Sequence, residues 1–276
     1  MKRFLLLLLF VLGCTPPAAE EQKVDEAVNE EVVSTLPDSP QTGDRAVLKV
    51  AGVEFAFRWC PPGEFMMGSP PGELWQGVDE TQHKIKLTRG FWLLETEVTQ
   101  AMWQAVMGNN PSKYKGEQNP VENVSWNVSQ EFCQKLSQKL GLQVRLPTEA
   151  QWEYACRAGT TGPYAGPLDS LAWYDEHLRA GSTHPVAQKQ ANAWGLYDMH
   201  GNVWEWCSDY WGDKFYVDSP RSDPENTTHD TSRIFRGGCW YMNAGGCRSA
   251  ERGGANPHDR SAGVGFRVLL VPGPEN

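Results

Sequence analysis

Alternation of apolar and polar residues marks the start of the folded part of the chain. Apolar positions recur every second residue in 46–50 and again in 53–59, and Ala51-Gly52 separates the two runs. This pattern predicts a β-hairpin, because Gly52 tolerates the positive φ that a two-residue turn requires. The same criterion predicts further short strands at 65–69, 84–87 and 91–94.

Three helices are predicted after these strands, each with a start or stop signal. The first spans 99–107 and the second about 128–140, and a glycine follows each of them. The third begins after Thr148, which forms a capping box with Gln151, and ends at Gly159. Their aromatic residues are typical of a helix that packs against a core.

Beyond Gly159 the chain shows little periodicity of either kind. The segment 236–267 begins and ends as strands, but roughly 25 residues between them fit neither period. We interpret this segment as a long surface loop held at both ends, the kind of element that often carries binding residues; an ordinary connection is the alternative. Few strands, early helices and a closing strand favour an α+β fold.

The first 45 residues are expected to lie outside the domain. Lys2 and Arg3 precede the apolar run 4–12, and the sequence around Gly13-Cys14 resembles a bacterial lipobox. We therefore predict a lipoprotein signal peptide at 1–13, with lipidation of Cys14; simple signal-peptidase cleavage is the alternative. Residues 14–45 are acidic and proline-rich, as in a disordered tether. The protein would then be anchored by lipid to the outer membrane or cell surface of a bacterial envelope.

Composition narrows the function classes. The hydrophobic content of 40% supports a core for one domain, which we place at 46–276. A formal net charge of −9 argues against nucleic acid as a partner. The seven cysteines include no CxxC pair, and the six histidines form no HxxxH pattern, so a catalytic metal site is not indicated.

Eight short motifs then occur in a fixed order along the domain: 65–69 (FMMGS), 95–99 (ETEVT), 120–126 (PVENVSW), 145–154 (RLPTEAQWEY), 195–199 (GLYDM), 201–206 (GNVWEW), 236–238 (RGG) and 265–267 (GFR). Together they resemble the formylglycine-generating-enzyme, or sulfatase-modifying factor, family over essentially residues 46–270. The resemblance implies a C-type-lectin-like fold with a small twisted antiparallel sheet, a few helices and much ordered irregular chain.

The enzymes of this family oxidise a cysteine of a client sulfatase to formylglycine at a copper site made by two cysteines. In this sequence the first of those positions falls near Met242 or Asn243, and Cys239 takes the place of a family serine. Cys247 lies beside 248–250 and Arg252, which together with 236–238, Trp240 and 265–267 we call the frame of this segment. Cu(I) requires two correctly placed thiolates, so we do not assign the catalytic pair. The histidine triad of the ergothioneine-type branch is also missing. No enzymatic activity and no required cofactor are therefore predicted, with formylglycine-generating oxidation as the alternative.

The irregular residues between the frame residues of 236–267 are similar to those of the variable proteins of diversity-generating retroelements. Such retroelements mutate template adenines. Most of its irregular positions can be reached from Ser or Asn codons by changing adenines alone, whereas Met242 and Glu251 need lysine-like codons; drift in a permissive loop is the alternative. A monomeric, surface-displayed protein that binds a protein or cell-surface molecule is implied. The expected ligand-binding residues are Cys239, Tyr241, Met242, Asn243, Gly246, Glu251, Gly253, Gly254, Ala255, His258, Ser261, Ala262 and Gly263.

The family resemblance also implies two stabilising features. A structural calcium would be held at Asp198, Gly201, Val203 and Glu205, the alternative being carboxylates bonded to backbone amides. A disulfide would join Cys156 to Cys247, with free buried thiols as the alternative. Cys239, as a product of variation, would be an exposed and oxidisable thiol.

Overall fold

The computed structural model describes residues 36–175, 181–212, 215–228 and 230–272. Its larger sheet has five strands in the order β1-β2-β5-β11-β6, all paired antiparallel. The predicted hairpin is confirmed, with Ala51 and Gly52 both at positive φ in its turn. The strands are β1 (Arg45–Val50), β2 (Val53–Cys60), β5 (Phe91–Leu94), β6 (Val144–Arg145) and β11 (Leu269–Leu270).

A second sheet of four strands carries the C-terminal segment. Its order is β10-β7-β8-β9, and the β10–β7 pair is parallel. A separate antiparallel pair, β3–β4, completes the strands in the part of the chain that the structure describes. The bounds are β3 (Gly63–Met67), β4 (His83–Leu87), β7 (Trp204–Tyr210), β8 (Arg233–Arg236), β9 (Arg252–Ala255) and β10 (Val264–Gly265).

The helices largely follow the predicted signals. Thr99 caps the first helix, and the capping box of Thr148 and Gln151 is present. The second helix begins earlier than expected because Ser125 is its N-cap, and the third ends at Ala158, which adopts the left-handed conformation, rather than at Gly159. The helices are α1 (Gln100–Met107), α2 (Trp126–Leu140), α3 (Glu149–Arg157), α4 (Leu168–Leu171) and α5 (Phe215–Asp218).

Two apolar clusters hold these layers together. In one, α1 and α2 pack on the large sheet, where Trp103 stacks on Phe132 and Phe266 meets both rings edge-on. In the other, α3 packs against strands of the second sheet, where Trp152 bonds Glu205, and against β3 through Tyr154, which meets Phe65. Phe266 lies between β10 and β11, so the end of the chain is tied to both sheets.

The packed domain begins before residue 46. Gly43 donates its backbone N–H to Trp59, Trp59 donates in turn to Asp44, and Leu36 packs against the first cluster. The predicted tether is therefore ordered at its end. The predicted signal peptide and Cys14 lie outside the described residues. None of the helices in the described ranges combines the length and the apolar character needed to span a membrane.

Candidate ligand-binding site

Buried ion pairs fix the frame of the C-terminal segment to α3. Arg236 donates to Glu153 at 2.5 Å and also to the backbone of residues 249 and 250. Arg252, on β9, makes two bonds to the carboxylate of Glu149, at 2.7 and 3.1 Å. Arg236 and Glu153 are completely buried, and buried pairs with such geometry tolerate the loss of either partner poorly.

A third buried arginine ties this segment to the loop between β3 and β4. Arg248 reaches both carboxylate oxygens of Glu80, at 2.7 and 2.8 Å, and one oxygen of Glu73 at 3.1 Å. It also donates to the backbone oxygens of Trp75 and Gly245. The path of residues 245–252 is thus set by ionic contacts beneath the surface.

Tyr241 is the most prominent side chain of the predicted variable segment. It is 42% exposed, and its ring covers Gly263, where an added Cβ would come within 2.5 Å of the ring. Trp240 meets Tyr241 edge-on, and Tyr114 from outside the segment meets Trp240 in the same way. The three rings form an aromatic ridge that is accessible to a ligand.

The neighbouring turn presents Asn243, which is exposed, and Met242, which is partly exposed. The Asn243 side chain accepts from the backbone N–H of Gly246 and so caps a 3₁₀ turn at Ala244–Cys247. Met242 covers Gly246, whose added Cβ would lie 2.6 Å from the methionine methyl carbon. Gly246 therefore supports Met242 from below and is itself buried.

The middle of the predicted loop is a strand, which corrects the expectation of irregular structure. Gly253 of β9 pairs with Phe235 of β8, and the Phe235 ring occupies the space where a Gly253 side chain would be. Trp211 covers Gly254 in the same manner. The glycines hid the strand because they supply no apolar alternation, while aromatic residues of other segments cover them.

The predicted binding residues differ in their access to solvent. Tyr241, Asn243, Gly254 and His258 are exposed; Met242, Glu251, Gly253, Ala255, Ser261 and Ala262 are partly exposed; Cys239, Gly246 and Gly263 are buried. His258 is held by Asn127 of α2 at 3.1 Å. Ten of these thirteen positions can therefore present atoms to a ligand.

The prediction of an exposed Cys239 thiol is wrong. Cys239 is fully buried, and burial raises the pKa of its thiol to about 11. Cys156 and Cys247 are free thiols in the structure, so the predicted disulfide is not formed there. Cys156 instead contacts His200 and Ser249. Each of the six cysteines among the described residues is buried.

An exposed apolar loop beside the segment was missed in the sequence. Leu74 is 67% exposed, Trp75 54% and Val78 fully exposed. Trp75 lies against Gly245, and its backbone is held at a positive φ of 65° while its carbonyl accepts from Arg248. A strained, exposed tryptophan is typical of a functional surface. The sequence signal was the apolar pair Leu74-Trp75 between glycines at 72 and 77, with Val78 directly after the second glycine.

The residues predicted to hold calcium are brought close together. Gly201 has a φ of 81°, and a Cβ there would collide with the Trp173 carbonyl oxygen at 2.2 Å, so only glycine fits. Asp198 accepts from the Ala187 N–H with one oxygen, and its other, buried oxygen has no partner among the described residues. Glu205, in contrast, is bonded to Arg267 and Trp152.

A further carboxylate, not predicted, belongs to the same region. Both oxygens of Glu97 are buried without a hydrogen-bond partner in the described structure, and burial together with Asp198 raises the pKa of Glu97. Hard oxygen ligands of this kind suit calcium. Asp198 and Glu97 have unpartnered oxygens here and Glu205 is engaged by Arg267, but no group of three or more acidic, histidine or cysteine side chains in the described residues is arranged to hold a metal ion. Calcium stays a prediction.

The fold and this arrangement place the chain in a known class. It belongs to the family defined by the sulfatase-modifying factor enzyme 1-like domain, whose model matches residues 56–271. The predicted C-type-lectin-like fold of the formylglycine-generating-enzyme type is confirmed by the solved relatives. Variable protein 1 of Treponema denticola has a TM-score of 0.77 and 32% identity, covering 83% of this chain and 99% of its own.

Curated relatives differ in what they are named for. The chaperone protein LppX of Paenibacillus barcinonensis is 31% identical over 65% of this chain and 79% of its own length. The formylglycine-generating enzyme of Streptomyces coelicolor is 33% identical over 60% of this chain, which spans 57% of that enzyme. The family thus includes enzymes as well as a variable protein, and membership alone does not decide activity.

Proposed function

We propose that this protein is a surface-displayed lipoprotein that binds a ligand through its C-terminal segment, and that a retroelement diversifies this segment. The observation that carries the proposal is the placement of Tyr241, Asn243 and His258 at the surface above a frame of buried ion pairs. The frame residues cannot change without loss of packing. The exposed side chains above them make fewer packing contacts, so they can vary more freely.

The chemistry of the surface suits protein recognition. Tyr241 offers a large contact area at low entropic cost, and Met242 can adapt its shape. The exposed Leu74, Trp75 and Val78 extend this surface with apolar residues that lie outside the diversified segment. We infer that these three form a fixed part of the ligand-binding surface, since Trp75 contacts Gly245 within the segment.

Two tests address the two parts of the proposal. Diversification predicts that the coding sequence for 236–267 differs from a nearby template repeat only where the template has adenine; differences spread over all four bases would contradict it. Ligand binding predicts that Tyr241→Ala weakens attachment of the fluorescently labelled protein to its target cells. Val217→Ala is the matched control, because Val217 is 60% exposed on α5, outside this surface.

Attachment to the membrane is proposed through Cys14. The support is the lipobox-like sequence 11–14 after a short apolar run. Radiolabelled palmitate should be incorporated by the native chain and not by Cys14→Ser. Labelling of the variant would contradict this assignment, and the location at the outer membrane or cell surface would be tested by protease accessibility on intact cells.

Formylglycine generation is the second candidate, supported by the relatives that are named for it. Burial of Cys239 and Cys247, which raises the pKa of both thiols, argues against it. Incubation with copper and a sulfatase-motif peptide, with a formylglycine-generating enzyme as positive control, is expected to leave the peptide cysteine unchanged.

A further inference from the structure

A pocket lies at the outer edge of β4, apart from the candidate ligand-binding site on the C-terminal segment. It is a cavity of about 510 Å³ between β4 and residues 221–222, within the size range of small-molecule sites. Ile85 and His83 lie beneath it, since Ile85 is fully buried and His83 is 7% exposed with its ring edge-on against Tyr216. Its rim carries the charged residues Glu64, Lys84, Lys86 and Arg221.

The charge of this rim is opposite to that of the chain. Three cations line the cavity, and the one carboxylate among its lining residues, Glu64, is paired with Lys84 at 2.7 Å. Asp223 on the adjoining segment is turned to the backbone N–H and the hydroxyl of Thr88. Lys86 and Arg221 therefore give the cavity a positive potential in a protein whose formal net charge is −9.

The strand edge adds a neutral donor. Lys86 bonds outward through its backbone, donating to the Arg221 carbonyl and accepting from the Asp223 N–H. Lys84, two residues earlier on β4, has its N–H and C=O on the same side, where no described residue bonds them. Arg221 donates to the backbone oxygens of Tyr216 and Val217 at 3.3 and 3.5 Å, which leaves it further N–H groups. An oxyanion in the cavity could thus be bound by Lys86, Arg221 and the Lys84 N–H, and the bonds from the two cations would be charge-assisted and strong.

From these contacts we propose that the pocket binds an acidic sugar, a ring of hexose size that carries a sulfate or phosphate ester. The cavity is larger than a bare oxyanion needs, and the aliphatic stems of Lys84 and Lys86, which face outward on β4, offer an apolar surface for the face of a ring. Because none of its lining residues lies in 236–267, the site is the same in every variant of the C-terminal segment.

Isothermal titration calorimetry at low salt, with the protein lacking the predicted signal peptide, tests this proposal. The probes are glucosamine sulfated on its primary hydroxyl, glucose phosphorylated at the same position, unmodified glucosamine and inorganic sulfate. We expect a sugar ester to bind and unmodified glucosamine not to bind. A preference for the sulfate or the phosphate ester identifies which group the site takes, and either result supports the proposal.

Variants test whether the sugar ester binds in this cavity. Lys86→Gln and Arg221→Gln should each weaken the sugar ester about tenfold, the loss of one charge-assisted bond. Ser222→Trp keeps the cations but fills the cavity, and should abolish binding with little change in melting temperature. Lys49→Gln, at the exposed Lys49–Glu54 pair on the first hairpin, is the matched control. Absence of binding, equal affinity for inorganic sulfate, or equal weakening by the control would overturn the proposal.

Discussion

Replacement of Arg248 by methionine should destabilise the domain severely. Arg248 is fully buried and is the main counter-ion of Glu80, which is 2% exposed. Burial alone would raise the pKa of Glu80, but Arg248 and Ser69 hold it below its usual value. Without the guanidinium, a carboxylate is left uncompensated in the interior. Loss of one partner of such a pair costs about 3–5 kcal/mol.

A second substitution separates the charge effect from lost packing. Arg248→Met combined with Glu80→Gln removes the uncompensated charge and retains an amide that can bond Ser69, so the double variant should recover about half of the loss. Arg45→Met is the control, because Arg45 is about half exposed in its pair with Glu95. It should cost less than about 1 kcal/mol.

Urea unfolding followed by far-ultraviolet circular dichroism and tryptophan fluorescence measures these changes. The destabilisation by Arg248→Met should grow with pH, because an unpaired Glu80 has a raised pKa and its ionisation opposes folding. At low pH the carboxyl is protonated and the cost is smaller. A loss below about 1 kcal/mol for Arg248→Met, or a double variant no more stable than the single, would refute the role assigned to this ion pair.

Three further outcomes follow from the structure. Burial and the charge of Glu149 raise the pKa of Asp209 to about 7. Ionisation of Asp209 should therefore lower the free energy of unfolding by up to roughly 4 kcal/mol as pH rises from about 4 to 7. Asp209→Asn should flatten this pH profile of stability, and an unchanged profile would contradict the assignment. If calcium occupies the Asp198 region, EDTA should lower the melting temperature of the native protein and leave that of Asp198→Ala unchanged. Gly253→Val should displace the Phe235 ring from β9 and destabilise the protein by about 1–3 kcal/mol. Gly162→Val should cost less, because Gly162 has no positive φ and an added Cβ would meet no atom closer than 3.7 Å.

The elements with local signals could be predicted from the sequence. The three main helices begin and end within one or two residues of the predicted positions, because each has a capping residue that the sequence reveals. The first hairpin alternates clearly between apolar and polar residues. Strand β9 could not be found in this way, because Gly253 and Gly254 acquire their packing from Phe235 and Trp211, which lie elsewhere in the chain. Strand β9 is therefore stabilised by tertiary contacts rather than by a local sequence pattern.

The site was predicted in outline but not in depth. The segment that carries Tyr241 and His258 was located, yet the burial of Cys239 depends on the core packed around it. The contribution of Trp75 depends on Arg248, which lies 173 residues further along the chain. Contacts between residues so distant in sequence leave no periodic pattern, so neither the ionic frame nor the apolar loop could be inferred from spacing.

The frame residues and the positions proposed to be diversified alternate closely along the chain, and the proposal therefore imposes a condition on the gene. Arg252 lies between Glu251 and Gly253, and Arg248 lies two residues after Gly246. Mutation at adenine cannot spare an arginine by its position, but it can spare one by its codon: AGA and AGG begin with adenine, whereas changes of an adenine in the CGN set are silent. If diversification is correct, Arg236, Arg248 and Arg252 should be encoded by CGN codons in the template. An AGA or AGG codon at any of the three would expose a buried ion pair to random loss, and would argue that the segment is not diversified in this way.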